Sequence, residues 1–167
     1  MPQLTSEDKV LLEVLGRALN NQTYILEDPQ VNIDSLFHLA QEHFVLPMTD
    51  ETIDPSSPLY QKWSSKYSRI SEKKILRQAQ KTADFLLLEE YLAKKGIHPV
   101  VMKGIVCRHL YPHPEHRPSS DEDLLISGEE FPDVHQALVD YGLAPVNPDE
   151  DIMDSFEVSY ENKKNHL

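Results

Sequence analysis

HPVVMKGIVCRHLYPHPEHRPSSDEDLLI, residues 98–126, is the stretch on which the fold turns. It opens on a β-branched run, His98 to Met102, and ends in a second apolar run that continues from Asp123 to Ser127. Both have strand composition with turn chemistry on either side. Between them, Gly104 to Leu110 reads as a short helix stopped by Tyr111 and Pro112, and Pro112 to Ser120 reads as loop. Three acids, Asp121, Glu122 and Asp123, lead the second strand. Acids in that position are either solvated or hold a cation.

On a strand, side chains at i and i+2 share a face, about 6.5–7 Å apart at Cα. The spacing therefore places Asp121 and Asp123 on one face and Glu122 on the other. Two carboxylates on one face suit a hard cation such as Mg²⁺, which takes oxygen ligands and keeps waters and substrate phosphates. The apolar residues that follow, Leu124, Leu125 and Ile126, anchor such a strand in a core. Lys103 and Gly104 close the first strand. Glycine lets a phosphate approach the backbone and lysine adds a point charge. Arg117, four residues before Asp121, can reach a phosphate or clamp the acidic loop. Taken singly, an Asp-x-Asp pair is most often a surface pair and Lys-Gly most often a turn.

Outward from this stretch the chain is helical on the N-terminal side. Thr5 and Asp8 form a capping-box pattern ahead of Val10, Leu11, Val14, Leu15 and Ala18, and Asn20-Asn21 ends that helix. A second helix is expected over 34–43, with Leu36, Phe37, Leu39, Ala40 and Phe44 inward. Residues 47–58, with three prolines, read as loop. A long helix is expected over 59–95, with Leu76, Ala79, Ala83, Leu87 and Tyr91 inward and Gly96 as its C-terminal cap. Trp63, Tyr60 and Tyr67 are read as helix packing and Glu89-Glu90 as its exposed side.

On the C-terminal side, Glu129 to Tyr141 has a helical apolar stripe (Phe131, Val134, Leu138, Tyr141) closed by Gly142. The acidic stretch 148–154 reads as loop and Phe156 to Tyr160 as a third strand. Residues 161–165 read as a turn, with 166–167 beginning a fourth strand. The order, helices and then β-α-β-α-β, gives an α+β (mixed α/β) class. The expected division is a helical bundle over 1–95 and an α/β core over 96–167.

Composition narrows the functions. Apolar residues are 40% and charged residues 26% of 167, which is a globular balance. No window is apolar enough to span a membrane. The polar start lacks a secretory pattern, and one cysteine, Cys107, cannot form an internal disulfide, so a cytoplasmic setting is expected. The net charge of −12 argues against general binding of nucleic acid or anionic membrane. Residues 98–120 run against that balance, with Lys103, Arg108 and Arg117 against Glu115. Cys107, His109, His113 and His116 match no zinc spacing; the histidines read as solvated and Cys107 as a small buried hydrophobe.

The combined motif resembles the uncharacterised nucleotidyltransferase family of the DNA polymerase β-type superfamily. That family reads as an apolar strand, Lys-Gly, a short helix, Tyr-x-x-Pro, Arg-Pro, then Asp-x-Asp and an apolar strand. Lys103, Gly104, Tyr111, Pro114, Arg117, Pro118, Asp121 and Asp123 stand at those places. The likeness is good over 75–165 and looser before. It implies a mixed β-sheet flanked by helices, with Mg²⁺ held by Asp121 and Asp123 at the start of a strand. The implied reaction moves a nucleoside monophosphate from an NTP to an acceptor, a small molecule or a protein. A Gly-Ser turn common in the superfamily is Lys-Gly-Ile here, so Lys103 is expected to take over the missing serine's contact. A third carboxylate common on a later strand falls, in similar sequences, after the turn that here ends NKKNHL. Glu157 and Glu161 lie on or beside the preceding strand and are not promoted to that role. The expectation is either a C-terminally incomplete core or a version without that group, weakly active or inactive alone. The alternative is a non-catalytic nucleotide-binding or protein-interaction module on the same fold.

Overall fold

The computed structural model of the chain describes residues 3–148, 152–153 and 155–162. Its α+β architecture falls into two compact units. The first comprises residues 1–80 and 104–121, the second residues 81–103 and 122–167.

The first unit starts with α1, Ser6–Leu19. The capping box forms as its residues dictate. The Asp8 backbone N–H donates to Thr5 Oγ1 (3.1 Å), and the Thr5 N–H donates to the Asp8 carboxylate (2.8 Å). Helix α2 runs over Ile33–Glu42, with Asn32 Oδ1 accepting from the N–H groups of Asp34 and Ser35. Glu7 accepts the Asn32 N–H at 2.8 Å, so the first turn of α1 also fixes the entry to α2. Val14, Leu36 and Ala40 are fully buried in the core between these helices. Phe44, expected inward, is exposed. It sits beyond the helix at φ 58°, where the chain reverses.

The stretch read as loop from Pro47 is a helix for its first half: α3 spans Leu46–Thr52. Proline is tolerated in the first turn of a helix because that N–H has no intrahelical acceptor to lose. Leu46, Met48, Thr49 and Thr52 are buried, and the Thr49 and Thr52 hydroxyls return hydrogen bonds to carbonyls four residues back. The hydroxyls satisfied in this way can be buried, which a reading by polarity misses.

Helix α4, Tyr60–Lys94, has the expected length but buries a different face. Leu76, Ala79, Ala83 and Leu87 are exposed and Tyr91 is half-buried. The buried residues of its first part are Trp63, Tyr67, Ser71 and Gln78. Trp63 Nε1 donates to Asp50 (2.7 Å), Tyr67 stacks on Phe37 with centroids 3.9 Å apart, and the Tyr67 hydroxyl donates to Asp34. The first unit also contains α5, Gly104–Arg108, and a 3₁₀ turn, Pro114–His116.

The second unit takes the rest of α4 and two short antiparallel strand pairs. Strands β1, Val100–Met102, and β2, Asp123–Leu125, pair with Val100 opposite Leu125 and Met102 opposite Asp123. Helix α6, Phe131–Tyr141, lays Val134, Ala137 and Leu138 on Leu92, with Leu124 and Ile126 alongside. Strands β3, Ala144–Pro145, and β4, Tyr160–Glu161, make the second pair. The third strand is thus shorter than FEVSY suggests, and Phe156 is wholly exposed. The expected fourth strand at 166–167, most of the turn before it and most of the acidic loop at 148–154 lie outside the described residues.

Gly96 and Gly142 end α4 and α6 in the same way. At Gly142 (φ 105°) the Leu143 N–H reaches back to Leu138 O (3.0 Å) and the Gly142 N–H to Val139 O (3.0 Å). A left-handed cap closed by these two bonds favours glycine. Nothing crowds a Cβ there, so Gly142→Ala tests backbone strain alone. It should lower stability by about 1 kcal/mol in urea unfolding with the m-value unchanged.

Candidate functional site

The motif residues fall in both units. In the second, the β1–β2 register carries Met102 opposite Asp123 and so sets Lys103 beside it. Lys103 Nζ lies 3.3 Å from Asp123 Oδ2. The Asp123 side chain is 30% exposed and that of Lys103 74%. Lys103 adopts a left-handed backbone, φ 46°, whereas the glycine after it does not.

In the first unit, Arg117 donates from Nη1 to the Gly104 carbonyl at 3.3 Å, and its guanidinium lies 6.0 Å from the centre of the Tyr111 ring. Gly104 is buried at the first position of α5. Asp121 is exposed and accepts a hydrogen bond from Ser120 Oγ at 3.0 Å. Strand β2 begins at Asp123, not before it. Strand alternation therefore does not orient Asp121 and Glu122, correcting the expectation that a pleat sorts the three acids. The covalent chain still limits Asp121 and Asp123 to a Cα separation of about 7 Å.

Four residues outside the expected set hold the loop. Arg108 is 1% exposed, and its Nη1 donates to the Ser119 hydroxyl. Gln78 Oε1 accepts the Ser119 N–H at 2.9 Å. His116 is buried, not solvated as its loop setting suggested, and Nδ1 lies 2.8 Å from the Glu51 carboxylate. His113 is farther, 3.8 Å from the same carboxylate, and exposed. Cys107 is half-buried. Glu51 is hidden from a sequence reading because α3 itself is. Gln78 leaves a signal in the seven-residue spacing of buried positions Ser71, Gln78, Phe85 and Leu92.

Among the described residues no group of three or more His, Cys, Asp or Glu side chains is placed to hold a metal ion. The donors at the motif are carboxylate oxygens, and one of them already holds a cationic group. That chemistry fits Mg²⁺, whose other ligands are waters and substrate phosphates. Two hollows of about 380 Å³ in the second unit, beside Pro99, include neither Lys103 nor Asp123. No helix among the described residues is long and apolar enough to cross a membrane.

A family model described as uncharacterised nucleotidyltransferase matches residues 29–167, and the chain belongs to that family. No curated protein and no solved structure gives a match.

Burial holds the His116 imidazole below its ordinary pKa of 6.5, and Glu51 only partly opposes this. The neutral ring donates Nδ1–H to Glu51. A histidine kept neutral in the fold but free to protonate when unfolded costs stability as pH falls below 6.5. Urea unfolding at pH 7.5 and 5.5 should show this loss in the wild type and a smaller loss in His116→Gln.

Proposed function

We propose that the motif is a nucleotidyl-transfer site, with Asp121 and Asp123 as carboxylate ligands for Mg²⁺ and Lys103, Gly104 and Arg117 serving the triphosphate of an NTP. The observation that supports this reading is the Lys103–Asp123 pair, 3.3 Å apart, within the residues that the family model matches. When bound, Mg²⁺ supplies charge compensation for the triphosphate and the departing pyrophosphate. The protein's part is positional. Asp123 is fixed by strand pairing at the start of β2. Lys103 neutralises that carboxylate while no cation is present, and its ammonium turns to a phosphate once the oxygens are engaged. Gly104 adds no side chain to the turn beside Lys103. Arg117 keeps the loop that carries Asp121 drawn to the Gly104 carbonyl. An acceptor nucleophile then forms a bond to the α-phosphorus and gives up its proton to solvent, the bond from that phosphorus to the bridging oxygen of the β-phosphate breaks, and pyrophosphate leaves.

Calorimetric titration with ATP and Mg²⁺ tests the assignment. Asp121→Ala/Asp123→Ala should abolish Mg²⁺-dependent ATP binding, and unchanged binding sinks the metal site. Asp123→Asn should weaken Mn²⁺, used as a spectroscopic substitute, by at least about tenfold. Lys103→Met should behave oppositely in two assays. Mn²⁺ without nucleotide should bind about two- to fivefold tighter, as expected for releasing an exposed ion pair, while ATP with Mg²⁺ binds more weakly. Nucleotide binding without pyrophosphate release would instead support a non-catalytic module on this fold.

A further inference from the structure

The first unit carries a second cationic feature, on the exposed side of α4. Between Lys62 and Lys81 the chain holds Lys62, Lys66, Arg69, Lys73, Lys74, Arg77 and Lys81 against the single carboxylate Glu72. Seven of the chain's 16 basic residues lie in this span, in a protein of net charge −12. Their spacing is not random. Lys62, Lys66, Arg69, Lys73 and Arg77 follow one another at steps of four, three, four and four. At 100° per residue they occupy a sector of about 80°, and at 1.5 Å per residue they span about 22 Å. Glu72 falls outside that sector. All five are exposed, whereas Trp63, Tyr67, Ser71 and Gln78 face the protein interior. Lys66 is tied to Asp34 at 3.0 Å. Among the described residues, Lys62, Arg69, Lys73 and Arg77 have no ion-pair partner.

We propose that this stripe is a docking surface for the phosphodiester backbone of a nucleic acid. A row of cations with a carboxylate, Asp34, only beside its first two members fits a polymer that carries one negative charge per repeat, because from Arg69 to Arg77 each phosphate meets a cation without a compensating anion. The other occupants fit less well. A protein interface is centred on a desolvated apolar or aromatic cluster, whereas here no exposed aromatic residue lies in the stripe and the exposed apolar residues, Ile70 and Leu76, flank the cations on opposite edges. A second copy of this chain brings a net charge of −12 against a net −12. Insertion into a membrane needs the apolar face of the helix, and Trp63 and Tyr67 are buried in the core of the first unit. The overall charge does not forbid a polyanion here, since fields beyond about 10 Å are screened at ordinary salt and the local balance governs contact. The inference is independent of the nucleotidyl-transfer reading.

The test is fluorescence anisotropy with a short labelled single-stranded RNA, and separately with DNA of the same sequence, between about 50 and 200 mM salt. The wild type should bind in the range of about 10⁻⁴ to 10⁻⁶ M, with log K falling against log salt at a slope of about −3. Replacing Lys62, Arg69, Lys73 and Arg77 together by Gln should weaken binding by more than about tenfold and bring the slope close to zero. Glutamine matches lysine and arginine in helix propensity, so circular dichroism should be unchanged. Replacing Arg17 and Lys94 by Gln, charges outside the stripe, should leave binding intact. Binding of RNA alone or DNA alone supports the same surface and identifies its source. The proposal is overturned by no binding at about 50 mM salt, by retained affinity in the fourfold variant, or by equal affinity for polyglutamate or for vesicles of anionic phospholipid.

Discussion

A guanidinium cannot shed its charge, so a fully buried arginine must be met by acceptors. Arg108, at 1% exposure, imposes that requirement on the segment that follows it. Residues 109–121 have no strand ladder of their own, and their three prolines remove backbone donors. The segment is held instead by side chains that come to meet it. Arg108 donates to Ser119, Gln78 accepts the Ser119 N–H, Glu51 takes the His116 ring and Arg117 reaches the Gly104 carbonyl. The loop is therefore held by a few polar contacts, one of them from the buried Arg108.

This explains which parts of the fold were legible in the residues and which were not. The ends of helices were, because their signals are local. Thr5 and Asp8 make their two reciprocal bonds, and Gly96 and Gly142 take the positive φ that only glycine adopts freely. The length of α4 was legible too. Its buried face was not, because apolar periodicity assumes that buried means apolar. Ser71 and Gln78 face inward while Leu76 and Leu87 face out. The inward side of this helix is partly polar because Gln78 serves the loop. Helix α3 was obscured in the same way, by threonines whose hydroxyls are satisfied within the helix.

The motif shows a similar limit. Residue identities and order were enough to recognise the family, which the match over residues 29–167 bears out. The phase of a strand was beyond them. With β2 beginning at Asp123, the i, i+2 argument for Asp121 loses its pleat, and only the length of two peptide units links the two acids. Net charge has a similar reach. A value of −12 averages over a chain in which half of the basic residues lie on one helix, so it says little about any one face.

The conformation of Lys103 carries the comparison of magnitudes furthest. A non-glycine residue on the left-handed side costs about 1–2 kcal/mol. Its visible return is one ion pair to Asp123, with the lysine 74% exposed. Pairs of that exposure contribute about 0–1 kcal/mol. Locally, then, the lysine is not repaid, and a glycine at this φ would relieve the strain. Gly104, the next residue, has no such need, since it lies at the start of α5 outside the positive-φ region. A strained residue whose contacts do not offset its strain is characteristic of functional corners, where the side chain acts on something else. An ammonium held 3.3 Å from Asp123, on a side chain left 74% exposed, is placed to reach such a target. The imbalance therefore argues for a ligand on physical grounds that are independent of the family match.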